Sequence, residues 1–318
     1  MKKRTLMKRI GVFAMLCVLS MTIVAEPTFA ATITEQRATA CTHMDKMSQS
    51  KWTISKPLTF TYNASGSTTT LNAGSYVGVP YTQVAREHSY LAKDTIVLAF
   101  DNGVTLHGTD CSSSVDFAWR KGTNKAGDFL KTNKGKIELY RTKHMFNDGL
   151  VNKSPNGEQD FLMLVGKYGN YYSNRVNAET TTEMVAELKK STNYPDGGDI
   201  YSKIYAAMKK GDALIKREYS NSGTLLGHVR LVTDVQVKYN ADGSVNPNTS
   251  YVNCIEQAGF RSGNPNWKTS WMPNSEDGTK YNGKYSFAQL AGDDTSYNLS
   301  GKLISAHYLP IQLKVWNE

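Results

Sequence analysis

The chain has 318 residues and a formal net charge of +9, a length that suits one large domain with a well-filled core. Its lysines and arginines are scattered and do not line one periodic face, so the charge gives little support to nucleic-acid binding. No repeat recurs, no Pro- or Ser-rich linker divides the chain, and after the first 30 residues no apolar run is long enough to cross a bilayer.

The first segment carries Lys2, Lys3, Arg4, Lys8 and Arg9, runs apolar and uncharged from Ile10 to Ala25, and reaches Pro27-Thr28-Phe29-Ala30-Ala31. That order is a secretory signal peptide over residues 1–30, with cleavage expected after Ala30. The apolar stretch is too short for a membrane anchor, which needs about 20 residues. Small residues do not precede Cys17, so lipidation is not expected there. Removal of five cations and Glu26 leaves +5 on residues 31–318, which suits an exported protein working beside anionic envelope polymers.

Residues 32–50 have a capped helical start with Ile33, Ala40, Met44 and Met47 near one face. Trp52 to Tyr62 is extended and Thr-rich, and 66–70 is a loop. Gly78-Val79-Pro80-Tyr81 opens a short helix expected to run through Glu87 to Leu91. Thr95 to Phe100 is β-branched and apolar, and Asn102-Gly103 turns the chain. Then comes Gly108-Thr109-Asp110-Cys111-Ser112-Ser113-Ser114-Val115-Asp116-Phe117-Ala118-Trp119. Thr109 and Asp110 are capping residue types, while Val115, Ala118 and Trp119 fall at helical spacing from Cys111 and seat the helix on a core. Cys111 is therefore a thiol at the positive end of a helix dipole. Such a terminus is worth up to roughly 2 kcal/mol to an anion, so a depressed thiol pKa is expected, with an imidazolium supplying the remainder.

Residues 122–199 mix turns with short elements, among them the apolar run Phe161 to Val165 and the helical Thr181 to Lys190. Tyr168, Tyr171 and Tyr172 surround Gly169-Asn170 and would give a cleft cover an aromatic face, or are ordinary loop aromatics. Gly227-His228-Val229-Arg230-Leu231-Val232-Thr233-Asp234-Val235-Gln236-Val237 is a strand. Period 2 puts Val229, Leu231, Val235 and Val237 on one face, and His228, Arg230 and Asp234 on the other. Tyr251 to Gln257 is the expected neighbouring strand, joined by a turn at Asp242-Gly243. Adjacent strand residues face opposite sides, so either Glu256 or Gln257 orients the His228 ring. Glu256 would favour a charged imidazolium, Gln257 a fixed tautomer. A long surface loop follows to Lys284, then a helix at 285–290 and a closing strand over Ile311 to Trp316.

Helix-borne Cys111, strand-borne His228 and a polar residue on the next strand, preceded by Gly78-Val79-Pro80-Tyr81 and Gly211-Asp212-Ala213-Leu214-Ile215, together resemble the NlpC-type papain-fold cysteine peptidases. The matching motifs span about residues 74–120 and 210–260. Two features depart from the family pattern: Ser113 stands where Gly usually follows Asp-Cys-Ser, and 117 residues separate Cys111 from His228, about twice the spacing of compact members. Ser113 would then narrow the substrate groove, and about 121–209 would be an insertion. The resemblance implies an α+β papain-like fold, a nucleophile helix on a mostly antiparallel sheet, as a single domain over 31–318. It also implies a secreted bacterial hydrolase acting on peptidoglycan stem peptides through a Cys111 acyl-enzyme, associated with the cell wall. Catalytic roles fall to Cys111, His228 and Glu256, with Gln257 as alternative, and substrate contacts to Tyr81, Ser112, Ser113 and Tyr171. Tyr81 would hold substrate or the developing oxyanion; otherwise the Cys111 N–H is the natural oxyanion donor. A rival on the same fold is a module that binds wall peptides or glycans without turnover.

Cys41, Cys111 and Cys254 remain after processing, an odd number that leaves at least one thiol free. Cys41 and Cys254 either pair, or Cys254 is a small buried residue of its strand. His43, His88, His107, His144 and His307 lack the spacing of zinc ligands, so neither metal nor cofactor is expected. His107 is read as a turn residue that could also line the groove.

Overall fold

The computed structural model describes residues 31–61, 63, 65–86, 100–101, 105–125, 129–133, 136–151, 161–166, 178–190, 199–257, 271–272, 283–294, 298–299, 302–303 and 307–317. The expected signal peptide and Tyr168, Tyr171 and Tyr172 lie outside these residues.

Thr32 caps α1 (Ile33–Gln49): its side chain accepts the Glu35 N–H while Glu35 accepts the Thr32 N–H. Ala40, Met44 and Met47 are buried at helical spacing. β1 (Lys51–Ile54), β2 (Leu58–Thr61), β3 (Thr68–Leu71) and β4 (Gly74–Val77) follow as two ribbons, β1 with β4 and β2 with β3. They bury a small core of their own, Trp52, Ile54, Phe60, Leu71 and Tyr76. Within it the Trp52 ring stacks on Tyr76 at 4.6 Å and its Nε1–H donates to the Gly78 carbonyl. The expected helix from Tyr81 is absent through Arg86. That segment runs instead beside the approach to Cys111, with parallel bridges Tyr81 to Thr109 and Arg86 to Gly108. Glu87 to Leu91 falls outside the described residues.

β5 (Phe100–Asp101) and β6 (Thr105–Leu106) pair, and α2 (Cys111–Thr123) begins at the Asp110 cap. Val115, Ala118 and Trp119 are fully buried, as the helical spacing requires. The helix stops at Asn124, which is left-handed at φ 56° and returns its N–H to the last turn. β7 (Leu130–Asn133), β8 (Lys136–Leu139), α3 (Thr142–Gly149), β9 (Leu162–Leu164), α4 (Thr181–Lys189) and α5 (Ile200–Lys203) lead to β10 (Ala213–Tyr219) and β11 (Leu225–Gln236). Then come β12 (Tyr251–Gln257), β13 (Trp271–Met272), β14 (Lys284–Ser286), α6 (Phe287–Leu290), β15 (Asn298–Leu299), β16 (Lys302–Leu303) and β17 (Leu309–Leu313).

The main sheet is antiparallel at every pairing, in the order β13-β12-β11-β10-β17-β9, with β14 on the other end of β12. α1 and α2 pack on each other and both touch β11. The protein is thus α+β, with the Cys111 helix against an antiparallel sheet. Among the described residues no helix is long and apolar enough to cross a membrane.

Four expectations need correction. The stretch between Cys111 and His228 is not simply a cover: β9 is an edge strand of the main sheet, α3 contacts β9 and β10, and Met145, Phe146, Leu162, Met184 and Leu188 are core residues. The region after Glu256 is not all loop, because β13 pairs Met272 with Glu256 and Trp271 with Gln257. The closing strand is Leu309–Leu313, and Lys314–Trp316 tightens into a 3-10 turn. Finally, β11 does not keep one alternation. Val232 pairs with Cys254 and Asp234 with Asn253, leaving Thr233 as an extra, bulged residue. Because paired residues share a face, Asp234 is carried to the side opposite His228 and Arg230.

Candidate active site

The turn before α2 is built for close approach. A Cβ on Gly108 would lie 2.1 Å from the Pro80 carbonyl oxygen, so a glycine is required where the two loops run side by side. Thr109 N–H donates to Pro80 O at 3.0 Å, and Thr82 N–H returns to Thr109 O at 2.9 Å. Asp110 Oδ1 accepts the Ser113 N–H at 2.8 Å, and Ser113 Oγ accepts the Asp110 N–H at 2.8 Å. Ser112 Oγ donates to the same carboxylate at 2.9 Å. Ser112 and Ser113 are therefore fully enclosed cap residues. Their hydroxyls are engaged by the Asp110 cap, where the sequence suggested substrate contacts. The first N–H groups of a helix lack intrahelical acceptors, so Cys111 offers its own.

Cys111 is the first residue of α2 and is 7% exposed. Burial pushes its thiol up to about 12. The nearby Asp110 charge adds to the rise, and backbone hydrogen bonding from Val229 and Ser112 and the Arg86 charge oppose it. Burial thus works against the depressed thiol expected from the helix terminus. The Val229 contact places the sulfur beside the residue that follows His228.

His228 is half-buried, and its Nε2 is hydrogen-bonded to Glu256 Oε2. Glu256 is enclosed in β12, and its carboxylate gathers three groups. Arg230 Nε stands 3.3 Å from Oε2, Tyr285 Oη donates to Oε1 at 3.0 Å, and His228 takes the remaining contact. Burial works against the charged form, but Arg230, His228 and Tyr285 together outweigh it and hold the carboxyl at about 2. A carboxylate can only accept, so the proton of a neutral His228 ring sits on Nε2 and the lone pair on Nδ1.

Of the two candidates for orienting the ring, Glu256 is the one hydrogen-bonded to it. Gln257 faces the other way, as adjacent strand residues must. Its Nε2 donates to Val79 O at 2.8 Å and its Oε1 accepts from Thr109 Oγ1 at 2.6 Å. It thereby ties the end of β12 to both loops that flank the start of α2. Tyr81 is buried and its hydroxyl accepts from Gln83 Nε2 at 2.8 Å; its backbone, paired with Thr109, frames the same turn. Tyr171 lies outside the described residues.

Cys41 and Cys254 are free, buried thiols and form no bridge. His43 and His107 are buried, His144 Nδ1 accepts the Arg141 N–H, and His307 Nδ1 bonds to Thr182 Oγ1. Among the described residues no cluster of three or more His, Cys, Asp or Glu side chains is arranged for a metal ion.

The residues that sequence reasoning left without a role are Arg230, Tyr285 and Tyr308. The Arg230 guanidinium lies 4.0 Å from the Tyr285 ring centroid and 4.1 Å from that of Tyr308, and Nη2 donates to Tyr308 Oη at 2.8 Å. Arg230 was legible in part, two residues from His228 on the same face. The tyrosines arrive from β14 and from the start of β17 by tertiary pairing, which no local pattern signals. No family model matches the chain, and no curated protein or solved structure matches it either.

Proposed function

We propose that the protein is a secreted bacterial cysteine peptidase or amidase of NlpC-type, papain-like architecture that hydrolyses amide bonds of peptidoglycan stem peptides at the cell wall. The observation that carries this proposal is the constellation of Cys111, at the capped start of a central helix, and His228, whose Nε2 is engaged by the Glu256 carboxylate. That engagement leaves Nδ1 as the basic nitrogen. Thiol, imidazole and orienting carboxylate in this order are what nucleophilic acyl transfer requires.

The reaction proceeds through an acyl-enzyme. Cys111 sulfur attacks the amide carbon as its proton passes to His228 Nδ1, and the carbonyl electron pair moves to oxygen, facing the Cys111 N–H. Collapse breaks the C–N bond, and the Nδ1 proton goes to the leaving amine. Water then adds to the thioester with His228 as base, releasing the acid and the thiol. Glu256 keeps the ring in one tautomer throughout. The experiment is digestion of purified peptidoglycan by the mature chain, with released muropeptides followed by mass spectrometry. New products from the parent and none from Cys111→Ala support the proposal, and equal product from both overturns it.

One observation favours a binding role on the same fold instead: the thiol is buried and held protonated. A binder retains affinity for wall fragments in sedimentation assays, yields no new muropeptides and leaves Cys111 unlabelled by iodoacetamide at every pH short of unfolding.

A further inference from the structure

The main sheet changes character at one cross-strand pair. β10 is buried from Ala213 through Ile215 and half-buried from Lys216 to Glu218, while β11 is buried from Val229 through Val232 and open before it. Lys216 and His228 stand opposite each other at that line, and directly opposed strand residues share a face with their Cβ atoms about 5 Å apart. Farther out on the same face come Glu218 and its partner Leu226, the latter 56% exposed. On the opposite face α3 approaches so closely that a Cβ on Gly227 would lie 2.6 Å from Thr142 Cβ. Room for a ligand beside His228 is therefore on the Lys216 face.

The carboxylates nearest Lys216 are committed elsewhere. Glu218 is close enough for its charge to be felt, but its Oε1 accepts from Thr181 Oγ1 at 2.7 Å, Thr182 N–H at 2.8 Å and Thr182 Oγ1 at 2.7 Å at the start of α4. Glu256 is taken by His228, Arg230 and Tyr285. Among the described residues no carboxylate comes within ion-pair distance of Lys216. Its ammonium lies 5.9 Å from the Tyr308 ring centroid. Burial works against the charged form more than Glu218 supports it. A partly desolvated ammonium without a counter-ion costs the fold free energy, which an anionic ligand would return.

The order of the strands sets which half of a substrate meets this group. α2 packs over β11 and β12, and Thr109 at its start bonds to Gln257 at the end of β12. Lys216, on β10, is thus on the side of His228 away from Cys111. In the acyl transfer proposed above the acyl half stays on Cys111 while the amine departs beside His228, so the departing half runs toward Lys216. We propose that Lys216 is a specificity-determining residue that receives a free carboxylate on the amine half of the substrate, close to the scissile nitrogen. This rests on the Cys111–His228 reading. The substrate is then an acidic peptide, and the carboxamide of the same peptide, which has no charge to offer the ammonium, is a poor one.

The bond cut in peptidoglycan is first located by mass spectrometry, and a bond whose amine half bears no carboxylate overturns the proposal. Synthetic peptides containing that bond are then made in pairs, identical except that this carboxylate is free in one and a primary carboxamide in the other. The parent should cleave the acid with a kcat/KM about tenfold or more above that of the amide, the worth of a charge-assisted hydrogen bond. The gap should narrow as salt is raised. Lys216→Met keeps the aliphatic stem and drops the charge. It should bring the ratio of acid to amide to about one through a higher KM for the acid, and Lys216→Arg should keep the preference. A packing role alone would slow both peptides alike and leave their ratio intact, which overturns the proposal. So does equal cleavage of the two peptides by the parent, a result that needs no variant to fold. The two levels fail differently. Cleavage of neither peptide, or equal cleavage by Cys111→Ala, removes the peptidase reading and the proposal with it, whereas cleavage that requires Cys111 and ignores the carboxylate removes only the role of Lys216.

Discussion

Replacing Glu256 by Gln keeps the side chain's shape and deletes only its charge, and its cost can be worked from the structure. The folded carboxyl titrates at about 2 against an ordinary 4.5, a difference equivalent to about 3 kcal/mol of folding stability. Because the folded value is depressed, this contribution is complete above pH 4.5 and is lost as pH falls from there to about 2. Glu256→Gln forfeits it and leaves Arg230 as an unbalanced buried cation, for which about 3–5 kcal/mol is the usual loss. Denaturant unfolding at pH 7 should show that loss, and the gap between parent and variant should narrow as pH falls below 4. Restoring the balance separates stability from function: adding Arg230→Met to Glu256→Gln should recover much of the stability without restoring muropeptide release. A Glu256→Gln protein within 1 kcal/mol of the parent, or fully active, would refute the account of a carboxylate held charged beneath the ring.

Other outcomes follow from single contacts. Cys111→Ala should abolish release of muropeptides while melting within about 3 °C of the parent, as judged by mass spectrometry and calorimetry. Gln257→Ala removes the bonds to Val79 and Thr109. It should cost about 1–3 kcal/mol and lower kcat, so it is not expected to be silent. Gly108→Ala forces a Cβ against Pro80 O and should uncouple the loop that presents Cys111, seen as lost turnover together with faster proteolysis between Tyr81 and Asp110. Asp148 is buried, and burial raises its carboxyl to about 7 despite hydrogen bonds from Phe161 and Leu162. A raised acid binds its proton more tightly when folded. Stability should therefore fall as pH rises from about 4 to 7, and Asp148→Asn should flatten that slope in denaturant titrations.

The start of α2 and the face of β11 that carries His228 were legible because each is set by neighbours in sequence. Asp110 caps three residues ahead, and Val115, Ala118 and Trp119 repeat at helical spacing. Alternation put Glu256 and Gln257 on opposite faces but left open which of them meets His228. What alternation could not register was an inserted residue: Thr233 is as β-branched as a regular strand residue, and its bulge shows only in the pairing with Cys254 and Asn253. Likewise Phe161 to Val165 announces an apolar element but not its partner, and the pairing of Leu164 with Ile311 is long-range. The cap bonds of Ser112 and Ser113 were hidden for a related reason. A hydroxyl beside a nucleophile looks like a substrate contact until the cap consumes it.

The buried charges around the sheet occur as pairs. Arg37 is paired with Asp212 next to the Gly211 turn, Arg86 with Asp110 at the helix start, and Arg230 with Glu256 under the imidazole. Each pair sets a cation against a carboxylate inside the fold. Under the proposed mechanism reactivity depends on geometry: a substrate carbonyl must reach Cys111 while its oxygen finds the helix N–H and the thiol proton finds Nδ1. The same argument predicts selectivity in labelling. A peptide-like electrophile that places a carbonyl at the Cys111 N–H should modify the parent far faster than iodoacetamide, and this preference should shrink in His228→Ala, which lacks the base that takes the thiol proton in the proposed mechanism. Equal preference in both proteins would mean that reactivity is set by access alone.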